Sequence, residues 1–152
     1  MSDFKVEDGV LTAYCGNNPH VIIPKNVTKI GESALLDQEG MSKVTISEGV
    51  KIIGDSAFAD CVELLQVELP STLTTIETQA FYRSAIESIV LPRGLKHIGW
   101  AAFGDCNTLT KIAYRGTVAE FKRIELETPV INIMTKAKKV QCTDGSVELM
   151  EF

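Results

Sequence analysis

The chain repeats one pattern of apolar and polar positions about every 23 residues. Each copy opens with an apolar-polar-apolar triplet and later reaches Ala followed by Leu or Phe. The copies begin at Val21, Val44, Val67 and Ile89, and a fifth, partial copy begins at Ile112. A fixed period of this length is typical of a solenoid, in which each coil buries its apolar face against the next coil. The spacing therefore predicts a stack of similar coils.

The pattern within one copy predicts two strands and a turn. The opening triplet alternates with the period of a half-buried strand. Pro24, Pro70 and Pro92 end that strand, where a missing N–H is tolerated. A second extended stretch then leads to a glycine, such as Gly54, that suits a tight corner. The next residues, Asp55–Cys61 in the second copy, fit a short helical turn with a polar cap. Stacking such coils predicts an α/β repeat solenoid with two narrow parallel sheets and a column of short helices.

One position of the repeat carries a phenylalanine in three successive copies. We expect Phe58, Phe81 and Phe103 to stack as a buried aromatic column, with Leu35 at the same place in the first coil. The third copy is one residue shorter than the others. We place the missing residue before Ile86, in the connection to the next strand, and expect the strands to stay in register.

The two ends of the solenoid need caps, because open ends expose unpaired strand edges and apolar core. Phe4–Leu11 fits a hairpin around Asp8-Gly9, which is a strong turn signal. After the last coil, Gly116–Phe121 fits a short helix and Lys139–Val147 a second hairpin. The predicted organisation is a single domain over residues 1–152, with an N-terminal cap hairpin at 1–19, four repeats at 20–111, and a partial repeat with the C-terminal cap at 112–152.

The segment Val44–Cys61, which reads VTISEGVKIIGDSAFADC, closely resembles the BspA-like leucine-rich repeats of the Treponema pallidum type. The resemblance runs from about Phe4 to Gly145 and includes the exit segment Ile112–Phe121. It implies a right-handed leucine-rich-repeat coil with parallel strands, short helical turns and hairpin caps at both ends. Many members of this family are bacterial surface proteins that bind host proteins or other cells, and the family shares no catalytic residues.

Composition narrows the classes of partner. The chain has 152 residues, is 45% hydrophobic and carries a formal net charge of −5, so we expect one domain with a substantial core. The negative charge argues against nucleic acid or an anionic membrane as a partner. No secretory signal is visible from Met1 to Lys5, so we expect a cytoplasmic protein. A secreted or surface location is the alternative if a leader was removed.

Little in the sequence points to chemistry. His20 and His97 are the available near-neutral bases, and no nucleophile elbow, phosphate loop or metal-binding motif is present. The four cysteines include no CxxC pair, and we expect them to be small buried residues. Recurring Asp residues at one repeat position favour capping or solubility over a cation ladder. We therefore expect no enzymatic activity, no cofactor and no metal. The recurring residues are Asp37, Asp60 and Asp105.

The residues that depart from the repeat are the first candidates for binding. Trp100 stands where the other copies carry a polar residue, and aromatic residues dominate interface energetics. Tyr82 and Arg83 replace small and acidic residues one coil earlier. We predict that Trp100, Tyr82 and Arg83 form one exposed patch, with His97 also pointing outward. The alternative is that Trp100 packs on the C-terminal cap against Phe121.

The outward side of the first strand of each coil is the second candidate. Five coils give a sheet roughly 24 Å long, enough for an interface of about 800 Å² per partner. Extended faces of solenoids are often used in this way. The partner-binding candidates on this side are Ile22, Lys43, Glu68, Val90 and Lys111, and the other outward residues are His20, Thr45, Gln66, Ser88 and Ala113.

The leading functional hypothesis is a non-catalytic module that binds another protein, as an adaptor or as an inhibitor that covers the partner's surface. One alternative is a secreted or surface adhesin-type domain that binds a host protein or a glycan. Another is a carbohydrate- or peptide-binding module with Trp100 and Tyr82 as stacking platforms. A monomer and a weak homo-oligomer both stay open, as does a phage or mobile-element origin.

Overall fold

The computed structural model describes residues 2–127 and 136–149. Its elements are short strands, with one short helix near the last coil. In chain order they are β1 (Phe4–Glu7), β2 (Val10–Tyr14), β3 (His20–Ile22), β4 (Lys29–Ile30), β5 (Lys43–Thr45), β6 (Ile52–Ile53), β7 (Gln66–Glu68), β8 (Thr75–Ile76), β9 (Ser88–Leu91), β10 (His97–Ile98), β11 (Lys111–Tyr114), α1 (Val118–Phe121), β12 (Glu125–Leu126), β13 (Lys139–Gln141) and β14 (Ser146–Glu148).

Each coil contributes one strand to each of two layers. The opening strands β3, β5, β7, β9 and β11, together with β13 and β14, form the side that we call the strand face. The shorter strands form a second, seven-stranded sheet in the order β1-β2-β4-β6-β8-β10-β12. Neighbouring coils pair in parallel in both layers, except between β7 and β9 on the strand face. The predicted parallel strands of a leucine-rich-repeat solenoid are confirmed.

The core lies between the two layers and contains the predicted aromatic column. The rings of Phe58 and Phe81 are 5.2 Å apart and nearly parallel, and those of Phe81 and Phe103 are 5.4 Å apart. All three side chains are fully buried, as is Leu35 in the first coil. Stacked aromatic pairs add to the stabilisation from burial, so this column stabilises the packing of successive coils.

The segments after the second sheet are turns, and the predicted short helices do not form there. The backbone N–H of Leu35 donates to the carbonyl of Ala57, and that of Phe58 donates to the carbonyl of Ala80. These bonds to the next coil alternate with bonds inside the turn that reach back three residues, such as Ala57 N–H to the carbonyl of Gly54. An α-helix would instead bond each N–H to the carbonyl four residues earlier. Among the described residues, α1 is the one α-helix. We call this stack of turns the turn column.

Backbone geometry in the turn column explains the recurring aspartates. Asp37, Asp60 and Asp105 have positive φ values of 56°, 58° and 54°. Asp tolerates this left-handed conformation better than most residues. The predicted helix capping is therefore wrong, because there is no helix to cap. In the described part of the chain, no group of three metal-ligating side chains is found.

Both predicted hairpins form, and so does the predicted short helix after the last coil. Asp8 and Gly9 both have positive φ, as the tight turn between β1 and β2 requires. At the other end, the N–H of Glu120 donates a hydrogen bond to the side chain of Thr117. In return, the N–H of Thr117 donates one to the carboxylate of Glu120. This capping box fixes the start of α1. The hairpin of β13 and β14 then joins β11 in parallel.

The strand face is interrupted between β7 and β9. Ile23 and Ile46 donate their N–H groups to the carbonyls of Thr45 and Glu68 in the next coil. Leu69 occupies the same position of the third coil as Ile23 and Ile46, but its N–H makes no such bond. In the described residues β7 does not pair with β9. Register is kept in the second sheet, where β8 pairs with β10. On the strand face, Val67 and Ile89 are both buried, so the inward and outward positions still correspond, but the hydrogen-bond ladder between β7 and β9 is broken.

The shortened third repeat accounts for this interruption. In the second coil the N–H of Leu64 donates to the carbonyl of Cys61, and in the fourth coil Leu109 donates to Cys106. These bonds close a small turn before the next strand. Residues 84–87 of the third coil form no turn, because one residue is missing there. We call β3, β5 and β7 the N-terminal half of the strand face, and β9, β11, β13 and β14 the C-terminal half.

Three of the four cysteines are buried, as predicted. Cys61, Cys106 and Cys142 lie in the core, and all four thiols are free. Burial raises the pKa of the Cys61 thiol to about 11, which makes it a poor nucleophile. Cys15 is exposed, contrary to the prediction, because it follows the end of β2 at the surface.

Candidate binding face

Outward side chains on the strand face form two rows. Because successive side chains of a strand point to opposite sides, each strand presents the residues before and after its buried central residue. The first row contains His20, Lys43, Gln66, Ser88, Lys111 and Lys139. The second row contains Ile22, Thr45, Glu68, Val90, Ala113 and Gln141. Each strand-face candidate from the sequence lies in one of these rows.

Polar groups in the N-terminal half are partners of one another. Lys43 Nζ lies 2.9 Å from Glu68 Oε1, and the hydroxyl of Thr45 donates to Glu68 Oε2 at 3.3 Å. His20 Nε2 lies 2.9 Å from Thr45 Oγ1. The hydrogen bond and the charge of Lys43 lower the pKa of the Glu68 carboxyl. The charged side chains Lys43 and Glu68 of this half are therefore paired with each other within the protein.

Positive charge in the C-terminal half has no such partner. Ile112 on β11 is paired with Val140 on β13. Lys111 and Lys139 directly precede these two residues, so they lie side by side on the neighbouring strands. Their side chains make no ion pair or hydrogen bond with any residue that the structure describes. Glu148 lies opposite Lys139 on β14 but does not form an ion pair with it. Like charges side by side on a sheet are destabilising.

A depression lies beside these lysines in the second row. Ala113 on β11 is paired with Val90 on one side and Gln141 on the other. Its methyl group is shorter than either neighbour, which leaves a hollow of about 340 Å³. The surface of the hollow is mainly apolar, with Lys111 and Lys139 at its rim. An apolar side chain of a partner would fit there.

The interruption between β7 and β9 opens a crevice of about 480 Å³. Val67, Leu69 and Val90 line its apolar part, with Arg115 at its edge. Val90 is 43% exposed and also lines the hollow beside Ala113. The crevice and the hollow are thus adjoining parts of one groove.

Most charged side chains at the crevice already have hydrogen-bond or ion-pair partners. Glu48 accepts hydrogen bonds from Ser71 N and Ser71 Oγ, at 3.0 and 2.7 Å. Arg93 donates two hydrogen bonds to Glu120, at 2.9 and 3.1 Å. These bonds, together with those from Thr117, lower the pKa of Glu120 to about 2. The side chain of Arg115 has no partner among residues 2–127 and 136–149.

Trp100 lies on the turn column with an exposed ring. It is 42% exposed, and its backbone N–H donates to Glu127 Oε2 at 3.0 Å. The ring of Phe121 packs against Tyr114, with 5.5 Å between their centroids. Within the described residues no ring contact joins Trp100 to Phe121, so the predicted packing of Trp100 on that residue is not seen.

Tyr82 and Arg83 are held within the turn column. The hydroxyl of Tyr82 donates to Asp105 at 3.2 Å, and Arg83 lies 3.4 Å from Asp60. Neither makes a hydrogen bond or ring contact with Trp100, so the single patch of these three residues stays a prediction. His97 on β10 is half-buried and faces two carboxylates, Glu125 at 3.8 Å and Glu127 at 3.5 Å.

Several residues of the groove were not among the candidates from the sequence, and three of them contribute polar groups beside the hollow or the crevice. Arg115 directly follows β11, while Lys139 and Gln141 belong to the C-terminal hairpin. The sequence Lys139-Val140-Gln141 repeats the polar-apolar alternation of Lys111-Ile112-Ala113. That similarity was the available signal that the hairpin extends the strand face.

Solved structures with this architecture come from several bacteria. A leucine-rich repeat protein of T. pallidum is 28% identical, with a TM-score of 0.71, over 73% of this chain and 57% of that protein. One from Bacteroides ovatus is 26% identical, with a TM-score of 0.61, over 80% and 30%. The pneumococcal vaccine antigen PcpA is 22% identical, with a TM-score of 0.72, over 97% and 36%. This chain therefore spans little more than half of the first protein and about a third of the others.

No curated protein matches the chain. The family model described as "BspA type Leucine rich repeat region" matches residues 10–127 with six copies. Six is also the number of parallel strands in the second sheet, from β2 to β12. The periodic core, the stacked parallel strands and this match agree, and the chain belongs to the BspA-type leucine-rich repeat family.

Proposed function

We propose that this chain is a non-catalytic protein-interaction module that binds a partner protein on its strand face. Membership of a leucine-rich repeat family favours an interaction or surface-type module. The observation that carries the proposal is the groove on the C-terminal half, where an apolar floor meets unpaired cations. Concave sites with a few convergent polar groups are the usual form of a binding site.

The groove is lined by residues that are held for binding more than for proton transfer. Its lining residues include no histidine and no cysteine. Histidine is the side chain that acts most often in general acid–base catalysis. Glu48 and Glu68 at the crevice are each held by hydrogen bonds to neighbouring residues. The groove is therefore suited to binding, and we propose an adaptor or an inhibitor that covers its partner's surface.

A surface-displayed adhesin-type domain is the second candidate. Trp100 favours it, because an exposed ring can stack on a sugar as well as anchor a protein. The described residues contain no helix long and apolar enough to cross a membrane. An array of glycans, probed with the wild type and with Trp100→Ala, tests this candidate directly. Binding that disappears in Trp100→Ala would favour it.

Affinity capture with three matched baits tests the proposed face. The baits are the tagged wild type, Ala113→Arg and Trp100→Ala. Arg at position 113 fills the hollow at an outward-facing position, so folding should be unaffected. We expect the wild type and Trp100→Ala to retain the same protein and Ala113→Arg to lose it. A partner that Ala113→Arg retains and Trp100→Ala loses would move the site to the turn column.

A further inference from the structure

We infer that the C-terminal half of the strand face binds an extended acidic segment of a partner protein, with the pattern acidic-x-apolar-x-acidic. The inference rests on the proposed function and names the chemistry of the partner. It follows from three consecutive outward residues of β11 and its extension, which are Lys111, Ala113 and Arg115. They present in order a cation, a hollow and a second cation.

The first step is the like-charge pair at the start of β11. Lys111 and Lys139 lie on neighbouring strands, and strands of a sheet are about 4.8 Å apart. A single carboxylate between the two ammonium groups would pair with both and remove their repulsion. The net charge of the chain is −5, so this positive row is a local feature of the face. It is complementary to an acidic side chain.

The second step is the spacing along the strand. Arg115 continues the pairing of β11, since its N–H donates to the carbonyl of Leu91 at 3.0 Å. It lies four residues after Lys111, which corresponds to about 13 Å in an extended chain. A partner segment in the same extended conformation places its residues i, i+2 and i+4 on one side. Two acidic residues at i and i+4 would therefore reach the lysine pair and Arg115 together.

The third step is the hollow between the two positive ends. Ala113 lies midway between Lys111 and Arg115, and the hollow above it is mainly apolar. Residue i+2 of the partner segment would point into this space. An apolar side chain there would gain burial against Val90. A nucleic acid backbone would satisfy the cations but offers no apolar group at this position, so the hollow favours a peptide.

The N-terminal half provides an internal comparison. Lys43 is the counterpart of Lys111 in the first row, and its charge is already paired with Glu68 at 2.9 Å. Glu68 lies in the second row on β7, the strand next to that of Lys43. The equivalent residue next to the strand of Lys111 is Gln141, which lies in the second row on β13. The missing carboxylate is the group that the partner segment would supply.

Selection from a library of displayed random 12-residue peptides tests the inference. We expect the wild type to enrich peptides with acidic-x-apolar-x-acidic. The best peptide, synthesised with a fluorescent label, should bind by anisotropy and lose about tenfold or more affinity to Lys111→Glu/Lys139→Glu. Lys25→Glu/Lys51→Glu is the matched control with the same change of net charge, and its affinity should change less than about twofold. Circular dichroism and Tm would show that each variant is folded.

The inference would be overturned by no enriched peptide, by enriched peptides without acidic residues, or by equal loss of affinity in both double variants. A labelled single-stranded DNA of 20 nucleotides serves as a competing probe, and tighter binding of this DNA than of the peptide would also overturn it. The proposed function is tested separately by capture with Ala113→Arg. A partner that depends on Ala113, together with no acidic preference, would reject this inference and leave the proposed function standing.

Discussion

The two halves of the strand face use the same coil but differ in how their charges are paired. In the N-terminal half, Lys43 and Glu68 form an ion pair across neighbouring strands. In the C-terminal half, Lys111 and Lys139 lie side by side, and Gln141 stands where Glu68 would correspond. Two outward positions therefore distinguish the halves: Gln66 is replaced by Lys139 and Glu68 by Gln141, while the buried positions of the coil remain apolar.

The junction between the halves differs from the other junctions of the stack. The strand face is open there, whereas the second sheet continues from β8 to β10. The ring of Phe81 stacks on Phe103 across this junction at 5.4 Å. The halves are therefore held together by the core and the second sheet, which leaves the groove free on the opposite side.

The largest expected effect comes from the aromatic column. Phe81→Ala should lower the free energy of unfolding by about 3–5 kcal/mol, because it leaves a cavity in the core. Phe81 stacks on two rings, whereas Phe103 stacks on one. The cost for Phe81→Ala should therefore exceed that for Phe103→Ala by about 1 kcal/mol. Urea denaturation of both variants measures the difference. Equal costs would show that the second stacking contact of Phe81, with Phe58, adds no measurable stability.

The next effect concerns the interruption itself. Insertion of one Asn between Ala85 and Ile86 restores the length of the other repeats. We expect the strand-face hydrogen bonds between β7 and β9 to form and the crevice to close. Hydrogen exchange of the Leu69 amide should then slow by about tenfold, as one added hydrogen bond would give. The Ile46 amide, which is already bonded to Glu68, is the control and should not change.

A smaller effect should follow from copying the pairing of the N-terminal half. Gln141→Glu places a carboxylate beside Lys111, as Glu68 lies beside Lys43. The affinity for an acidic peptide should fall by about two- to fivefold, the range of an exposed ion pair. Gln141 also donates to the carbonyls of Cys142 and Gly145. Gln141→Ala loses these bonds without adding charge, so equal affinities of the two variants would contradict the electrostatic explanation.

The smallest effect is expected from the reverse change. Glu68→Gln removes the partner of Lys43, and both side chains are partly exposed, so stability should fall by at most about 0.5 kcal/mol. The pKa of Glu68 is lowered in the folded protein. The stabilisation is therefore present above the unfolded pKa and lost as the pH falls through the lowered one. Urea denaturation should separate wild type from variant at pH 7 and bring them together towards pH 3. A difference that persists at low pH would exclude the ion pair as its cause.

The sequence predicted the features that repeat along the chain. The spacing of apolar residues predicts the strands and the phenylalanine column, because burial imposes the same period on every coil. Asp8-Gly9 predicts the first hairpin from local turn geometry. The turn column was predicted wrongly as helices, because segments such as Asp55–Cys61 suit both structures. Their left-handed residues and bonds to the next coil are not local properties of the sequence.

The groove depends on contacts that are distant in the sequence. Lys139 joins Lys111 because β13 pairs in parallel with β11 across an intervening segment. The period alone gives no sign of that pairing. The sequence shows that the third repeat is one residue short, and the missing residue lies in the connection before β9. The loss of hydrogen bonds between β7 and β9 was not predicted from it. The candidates on the strand face were therefore predicted singly, and their arrangement as a groove was not.

We propose the C-terminal half of the strand face as the binding surface of this protein. An NMR titration of ¹⁵N-labelled protein with the best peptide from the library would locate the contact residue by residue. We expect the amide signals of Val90, Ala113, Arg115 and Gln141 to shift together and to saturate at one peptide concentration. Shifts confined to the signals of β3 and β5, or to the indole of Trp100, would contradict it.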